Sequence, residues 1–171
     1  MKAVLNIDSN PKVSIEIGYD DLSSIISGLP DSDDFTAIYA AMALHQSAKV
    51  RESVACKDNL NDSTVNLLST DKDATVLRAV VRTEAARRVL ATDRLQAIAA
   101  LDVEAGESIA SWAERYENAD IDVLVTSLID HPDPQVRQAL SGNSSVPKKF
   151  IKALLKDADP RVRATAKTTL E

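Results

Sequence analysis

Three side chains in this sequence carry imidazole or thiol chemistry: His45, His131 and Cys56. A catalytic centre built on them would need a base beside a nucleophile, or a ligand set at metal-site spacing, and neither pattern accompanies them. His131 falls in "DHPDP", where a later copy of the phrase has Ala158, so it reads as turn variation; His45 reads as a helix end. Cys56 closes an apolar-periodic stretch and is expected to be a small buried hydrophobe. As the one cysteine it cannot form an internal disulfide, which suits a reducing, cytoplasmic setting. No catalytic residue, cofactor site or metal ligand is expected.

Charge offers a second kind of chemistry. Lys148, Lys152 and Lys156 recur at i, i+4 and i+8, one stripe on a helix that can face a phosphate backbone or an acidic protein. Lys149, Arg137, Arg161, Arg163 and Lys167 make this a basic end: Val136 to Glu171 carries eight basic residues against three acidic, whereas Ala105 to Gln135 carries one against seven. A solvated helix face explains the stripe equally. The net charge of −6 argues against general nucleic-acid binding, and no aromatics interleave the lysines to stack on bases. Trp112 and Tyr116, one turn apart beside "AERYENADID", form either an aromatic anchor in an acidic rim or part of the core. The candidate partner-binding residues are therefore Trp112, Tyr116, Arg137, Lys148, Lys149, Lys152, Lys156 and Arg163.

The elements that position these residues follow from composition and spacing. With 44% hydrophobic, 27% charged and only 4% aromatic residues, 171 residues suit one folded, mostly helical domain. The longest nearly apolar run, "FTAIYAAMAL", falls short of the about 20 residues that span a bilayer, and the opening residues lack the apolar core of a signal peptide. "DHPDPQVRQAL" and "KDADPRVRATA" place Val136 and Val162 a fixed 162 − 136 = 26 residues apart, and Val50 and Val76 repeat that step, 76 − 50 = 26. A period of this size is the mark of stacked repeats. The 60 residues from Val76 to Val136 equal 26 + 34, which predicts a further unit near Ala110 and eight inserted residues before it, around 83–107, that either change the curvature of the stack or project a longer helix. Leu68, Leu128 and Leu154 each follow Val50, Ala110 and Val136 by 18.

Each unit reads as two short helices. Asp133-Pro134 and Asp159-Pro160 set a capping carboxylate before a proline at the first helical position, with Ser47 and Asp73 as equivalent caps. Val136, Ala139 and Leu140 form one buried stripe, and Phe150, Ile151, Leu154 and Leu155 another after Pro147. Residues 20–46 form a diverged first unit. "AVLNID" and "VSIEIG" alternate with period two around "SNP", which predicts a β-hairpin within residues 1–19 as a cap on that unit.

The segment from Leu128 to Ala166 resembles the leucine-rich-repeat-variant family, a HEAT-like group, through Asp133, Pro134, Val136, Arg137, Asn143, Pro147, Leu154 and Asp157, continued by Asp159, Pro160, Val162 and Arg163. The unit at Val50-Arg51 is similar but has Asn61 in place of the proline. The resemblance implies a right-handed α-solenoid of stacked helix pairs; with the period of about 26 this makes one domain over residues 1–171 of about five units, with 47–171 as repeat units after the diverged first one. The iron–sulfur module of one member is not implied, since no cysteine cluster exists. The fold expected is all-α, and the function a non-enzymatic adaptor for another protein, with nucleic acid or an anionic ligand at the basic end as the alternative. The recurring Arg51, Arg137 and Arg163 read first as a ladder paired with aspartates of neighbouring turns. Val162, Ala166 and Leu170 are expected to lie uncovered at the last helix, an edge open to self-association.

Overall fold

The computed structural model describes residues 3–7 and 12–171. Strands β1 (Ala3–Ile7) and β2 (Val13–Ile17) pair antiparallel, from Ala3 opposite Ile17 to Ile7 opposite Val13. These are the segments whose alternation predicts strands; the predicted turn at "SNP", residues 9–11, lies outside the described residues. The rest is helical: α1 (Tyr19–Gly28), α2 (Thr36–Met42), α3 (Ala48–Ala55), α4 (Asp62–Leu68), α5 (Ala74–Val80), α6 (Glu84–Val89), α7 (Thr92–Leu101), α8 (Val103–Ser111), α9 (Ile121–Ile129), α10 (Pro134–Gly142), α11 (Lys148–Leu154) and α12 (Pro160–Leu170). Among the described residues no helix is long and apolar enough to cross a membrane.

Caps set where the helices begin. Asp73, Asp133 and Asp159 each accept a hydrogen bond from the backbone N–H two residues on, and Asp102 accepts from Ala105. Pro134 and Pro160 then occupy the first helical position, where a missing N–H costs nothing. Ser47 precedes α3 without a side-chain cap bond. Three residues after each of these five starts stands a fully buried small or branched residue: Val50, Val76, Ala105, Val136 and Val162. The helices that carry them lie side by side in the order α3, α5, α8, α10, α12, with α1 packed before α3 and the α5–α8 contact the sparsest. Along their other side α4 meets α6, and α7, α9 and α11 follow one another.

This register corrects two expectations. The fourth buried position is Ala105 and not Ala110, because the Asp102 cap starts α8 at Val103. The steps are then 105 − 76 = 29 and 136 − 105 = 31, so the eight extra residues divide into three before α8 and five after it. The agreement of Leu128 with Ala110 is coincidental: Leu128 lies 128 − 105 = 23 from the true position, which is 18 plus the five residues inserted after α8. Nor does the middle project one longer helix. Leu90, extended at ψ 126°, breaks it into α6 and α7, and α6 packs on α4 while α7 packs on α8 and α9.

One hydrophobic cluster runs from Ile17 to Ala166 between these helices. Leu154, in α11, is 1% exposed within it. Leu154→Ala should lower unfolding stability by about 2–5 kcal/mol in a urea titration, the range for a leucine removed from a core that cannot collapse around the gap.

Candidate interaction surface

The recurring arginines join the turns of the row. Arg51 stands four residues after Ser47; its Nη1 donates to the carbonyls of His45 and Gln46 in the turn before α3, at 2.9 and 3.1 Å. Its Nε and Nη2 grip both oxygens of Asp71, in the turn before α5, at 2.6 and 2.8 Å. Arg137 repeats this: Nη1 to His131 and Pro132 carbonyls, Nε and Nη2 to Asp157 at 2.7 and 3.0 Å. Each guanidinium thus binds two successive turns, using the planar fork that lysine lacks. Asp71 and Asp157 also accept from the backbone N–H of the caps Asp73 and Asp159. In the turns before α3 and α10 a histidine takes that place: His45 and His131 accept through Nδ1 from the N–H of Ser47 and Asp133. With Nδ1 accepting, His131 Nε2 carries the proton and donates to the Ala99 carbonyl at 3.1 Å. The histidines therefore work as turn residues.

A second ladder ties the far ends of the same helices. Lys57, ten residues after Ser47, is buried and donates from Nζ to the carbonyls of Ser27 and Leu29 at the end of α1. Asn143, ten after Asp133, donates from Nδ2 to Ala110 and Ser111 at the end of α8 and to the Glu114 carboxylate. Tyr116 donates to the Val81 carbonyl just past α5 at 2.8 Å. Helix ends leave carbonyls without partners, and here the next helix of the row, or the turn that follows it, supplies the donors.

These pairings place the predicted partner-binding residues unequally. Tyr116 is buried, and burial pushes its hydroxyl pKa up, so it belongs to the core. Trp112 is partly exposed with the Arg115 guanidinium 4.3 Å from its ring, so the two aromatics do not form one surface spot. Arg137 is committed to Asp157. Lys149 pairs with Asp122 across exposed surface at 2.5 Å and lies over the Phe150 ring. Lys148, Lys152 and Lys156 are exposed, with no carboxylate at ion-pair distance among the described residues. Arg163 donates from Nη1 to the carbonyls of Asp157 and Ala158, and its Nε and Nη2 meet no carboxylate among the described residues. Cys56 is exposed, contrary to the expectation of a buried residue: it follows α3, whose last residue, Ala55, takes the buried position. Packing around the sulfur and the Glu52 carboxylate hold its thiol above the ordinary 9.0, so it is protonated at neutral pH.

A groove made by like faces of successive helices is what stacked helix pairs lead one to expect; what sequence reasoning missed is which residues line it. Open clefts of about 440, 460 and 510 Å³ abut along α3, α5, α8, α10 and α12, sharing Arg78 and Glu104 at one junction and Glu107 and Gln135 at the next. Five residues after the first four of these starts the groove wall carries Glu52, Arg78, Glu107 and Gln138 in turn. Three residues after the same starts the core side carries Val, Val, Ala and Val. The wall could have been found in the sequence by tracking the variable position of the repeat beside the constant one. Among the described residues no group of three His, Cys, Asp or Glu could hold a metal ion. No protein-family model, curated protein or solved structure matches this chain.

The clamp makes a pH prediction. The Arg137 hydrogen bond, acting against burial, holds the Asp157 carboxyl below its ordinary 3.8. Stability from a lowered carboxylate is complete above the unfolded value and lost as pH falls through the folded one. Wild type should therefore lose stability below about pH 4, and Asp157→Asn should lose less over that window while being less stable at pH 7. Chemical denaturation of Arg137→Ala, Asp157→Ala and the double variant should give a coupling energy of about 1–3 kcal/mol.

Proposed function

We propose that this chain is a non-enzymatic repeat scaffold, an α-solenoid of the leucine-rich-repeat-variant or HEAT-like kind with about five helix pairs, that holds another protein in the groove along α3, α5, α8, α10 and α12. The observation that carries the reading is the contrast between two positions of one repeated helix. Where the residue faces the core it stays small and aliphatic; where it faces the groove it changes from acid to base to acid to amide. Packing dictates the first, and a surface that reads a partner's charges needs the second. The recurring arginines and caps are spent on holding turns together, which leaves specificity to the groove wall.

The decisive experiment compares capture by wild type and by the paired variant Glu107→Arg with Gln138→Glu. A tagged wild-type chain should retain one stoichiometric protein; the variant should lose at least about tenfold in affinity while keeping its helical spectrum and urea midpoint, since neither side chain is buried. Retention of the same protein with unchanged affinity would remove the groove as the binding surface.

A second reading rests on Lys148, Lys152 and Lys156, exposed and without acidic partners, as a site for nucleic acid or another polyanion. Such binding would appear as retarded DNA or RNA at about 150 mM salt, lost when Lys148, Lys149 and Lys152 become Glu. The adaptor reading expects no retardation under those conditions.

A further inference from the structure

The row of helices has two exposed outer faces, and they differ from the expectation drawn from the sequence. Val162 and Ala166 are not left uncovered on α12; both are fully buried. The outward face of α12 is instead Arg163, Ala164, Lys167 and Thr168, all exposed. On the outward face of α1 stand Asp21, Ser24, Ile25 and Gly28, also exposed, with Ile25 42% accessible and open space where a Gly28 side chain would lie. Each set follows a helical spacing of three or four, so each is a single face of the kind that packs on a neighbouring helix.

The two faces are opposite in charge. The α12 face carries Arg163 and Lys167 and no acid, and the α1 face carries Asp21 and no base. Arg163 binds the carbonyls of the turn behind it just as Arg51 and Arg137 do, yet its Nε and Nη2, which in those two residues hold an aspartate of the next turn, meet no carboxylate among the described residues.

We propose that the chain self-associates head to tail: the outward face of α12 in one copy packs on the outward face of α1 in a second, with Arg163 and Lys167 against the acidic start of α1, so that the row continues from copy to copy. This goes beyond the groove reading and does not depend on it. The contact is heterologous, joining two different surfaces, and therefore extends or closes into a ring. One helix face against another buries less than the about 1,200–2,000 Å² of a stable interface, so the association is weak and salt-sensitive.

Sedimentation velocity from about 10 µM to 1 mM tests it. At about 20 mM salt the weight-average coefficient should rise with concentration, and at about 500 mM salt it should stay at the monomer value. Arg163→Glu with Lys167→Glu should abolish the rise, and so should Asp21→Lys with Ser24→Lys; these positions are exposed, and circular dichroism checks that both variants fold. Mixing the two variants should restore association, because each now offers the charge the other lacks. A wild type that stays monomeric at 1 mM and low salt overturns the proposal. So does association that survives either reversal. A mixture that fails to associate also overturns it, since the acidic α12 face of one variant and the basic α1 face of the other are then complementary.

Discussion

A guanidinium that binds two turns at once is the interaction on which the arrangement depends. The helices here have six to eleven residues, shorter than a helix that stands alone in water, so each needs its neighbours to persist. Apolar burial supplies most of that support but is indifferent to sliding, since one small aliphatic side chain packs much like another. The fork of Arg137 is not indifferent: it fixes the His131–Pro132 turn and the Asp157 turn in one plane. Directional bonds thus set the register that burial then makes stable. The donors at the opposite helix ends, Lys57 and Asn143, do the same from the other side, so a helix cannot slide along its axis without breaking bonds at both ends.

The middle of the row shows how this constraint tolerates insertion. In α5 the residue four after the cap is Leu77, buried, and in α8 it is Gly106, so neither helix has an arginine at the position of Arg51. Arg78, one residue later, takes the task instead and grips both oxygens of Asp102 at 2.9 and 2.8 Å. Asp102 is itself the cap of α8, whereas Asp71 and Asp157 lie two residues before theirs. With the arginine one residue later and the carboxylate two residues later relative to their caps, this bridge spans 24 residues where those of Arg51 and Arg137 span 20. Gly106 answers the same crowding: a Cβ there would come within 3.0 Å of Val136 and 3.4 Å of the Ala99 carbonyl, so the close approach of α8 to α10 requires its absence.

The legible part of the fold was the part written in local chemistry. Asp-Pro and the valine three residues after the cap announce a helix start and its buried face within four residues, and those starts at Asp133 and Asp159 are where the sequence places them. The arginine ladder followed from its recurrence. Ala105 was hidden because alanine carries little of the signal that valine does, and because the five residues inserted after α8 put Leu128 at a misleading distance from Ala110. The break at Leu90 carries no proline or glycine, so nothing local marks it; the demands of α4 on one side and α9 on the other divide that stretch. The exchange of His131 for Asp157 at one structural position was illegible for a different reason. The two residues share no charge or shape, only an unprotonated acceptor at the right reach from a backbone N–H.

That exchange bears on where recognition can reside. A position that accepts either imidazole or carboxylate is defined by the backbone it serves, so its side chain carries no information about a partner, however reactive it looks in a sequence. The groove wall is the opposite case. Among the described residues Glu107 and Gln138 make no side-chain hydrogen bond or ion pair, and no neighbouring turn dictates their identity, so changes there leave the architecture intact. Arg78 stands between the two: it lines the groove and also bridges to Asp102, so a partner that engaged its guanidinium would be competing with the bond that sets the α5–α8 register. Because that junction is also the sparsest in the row, binding there would be coupled to the geometry of the whole groove, whereas binding at α10 would not.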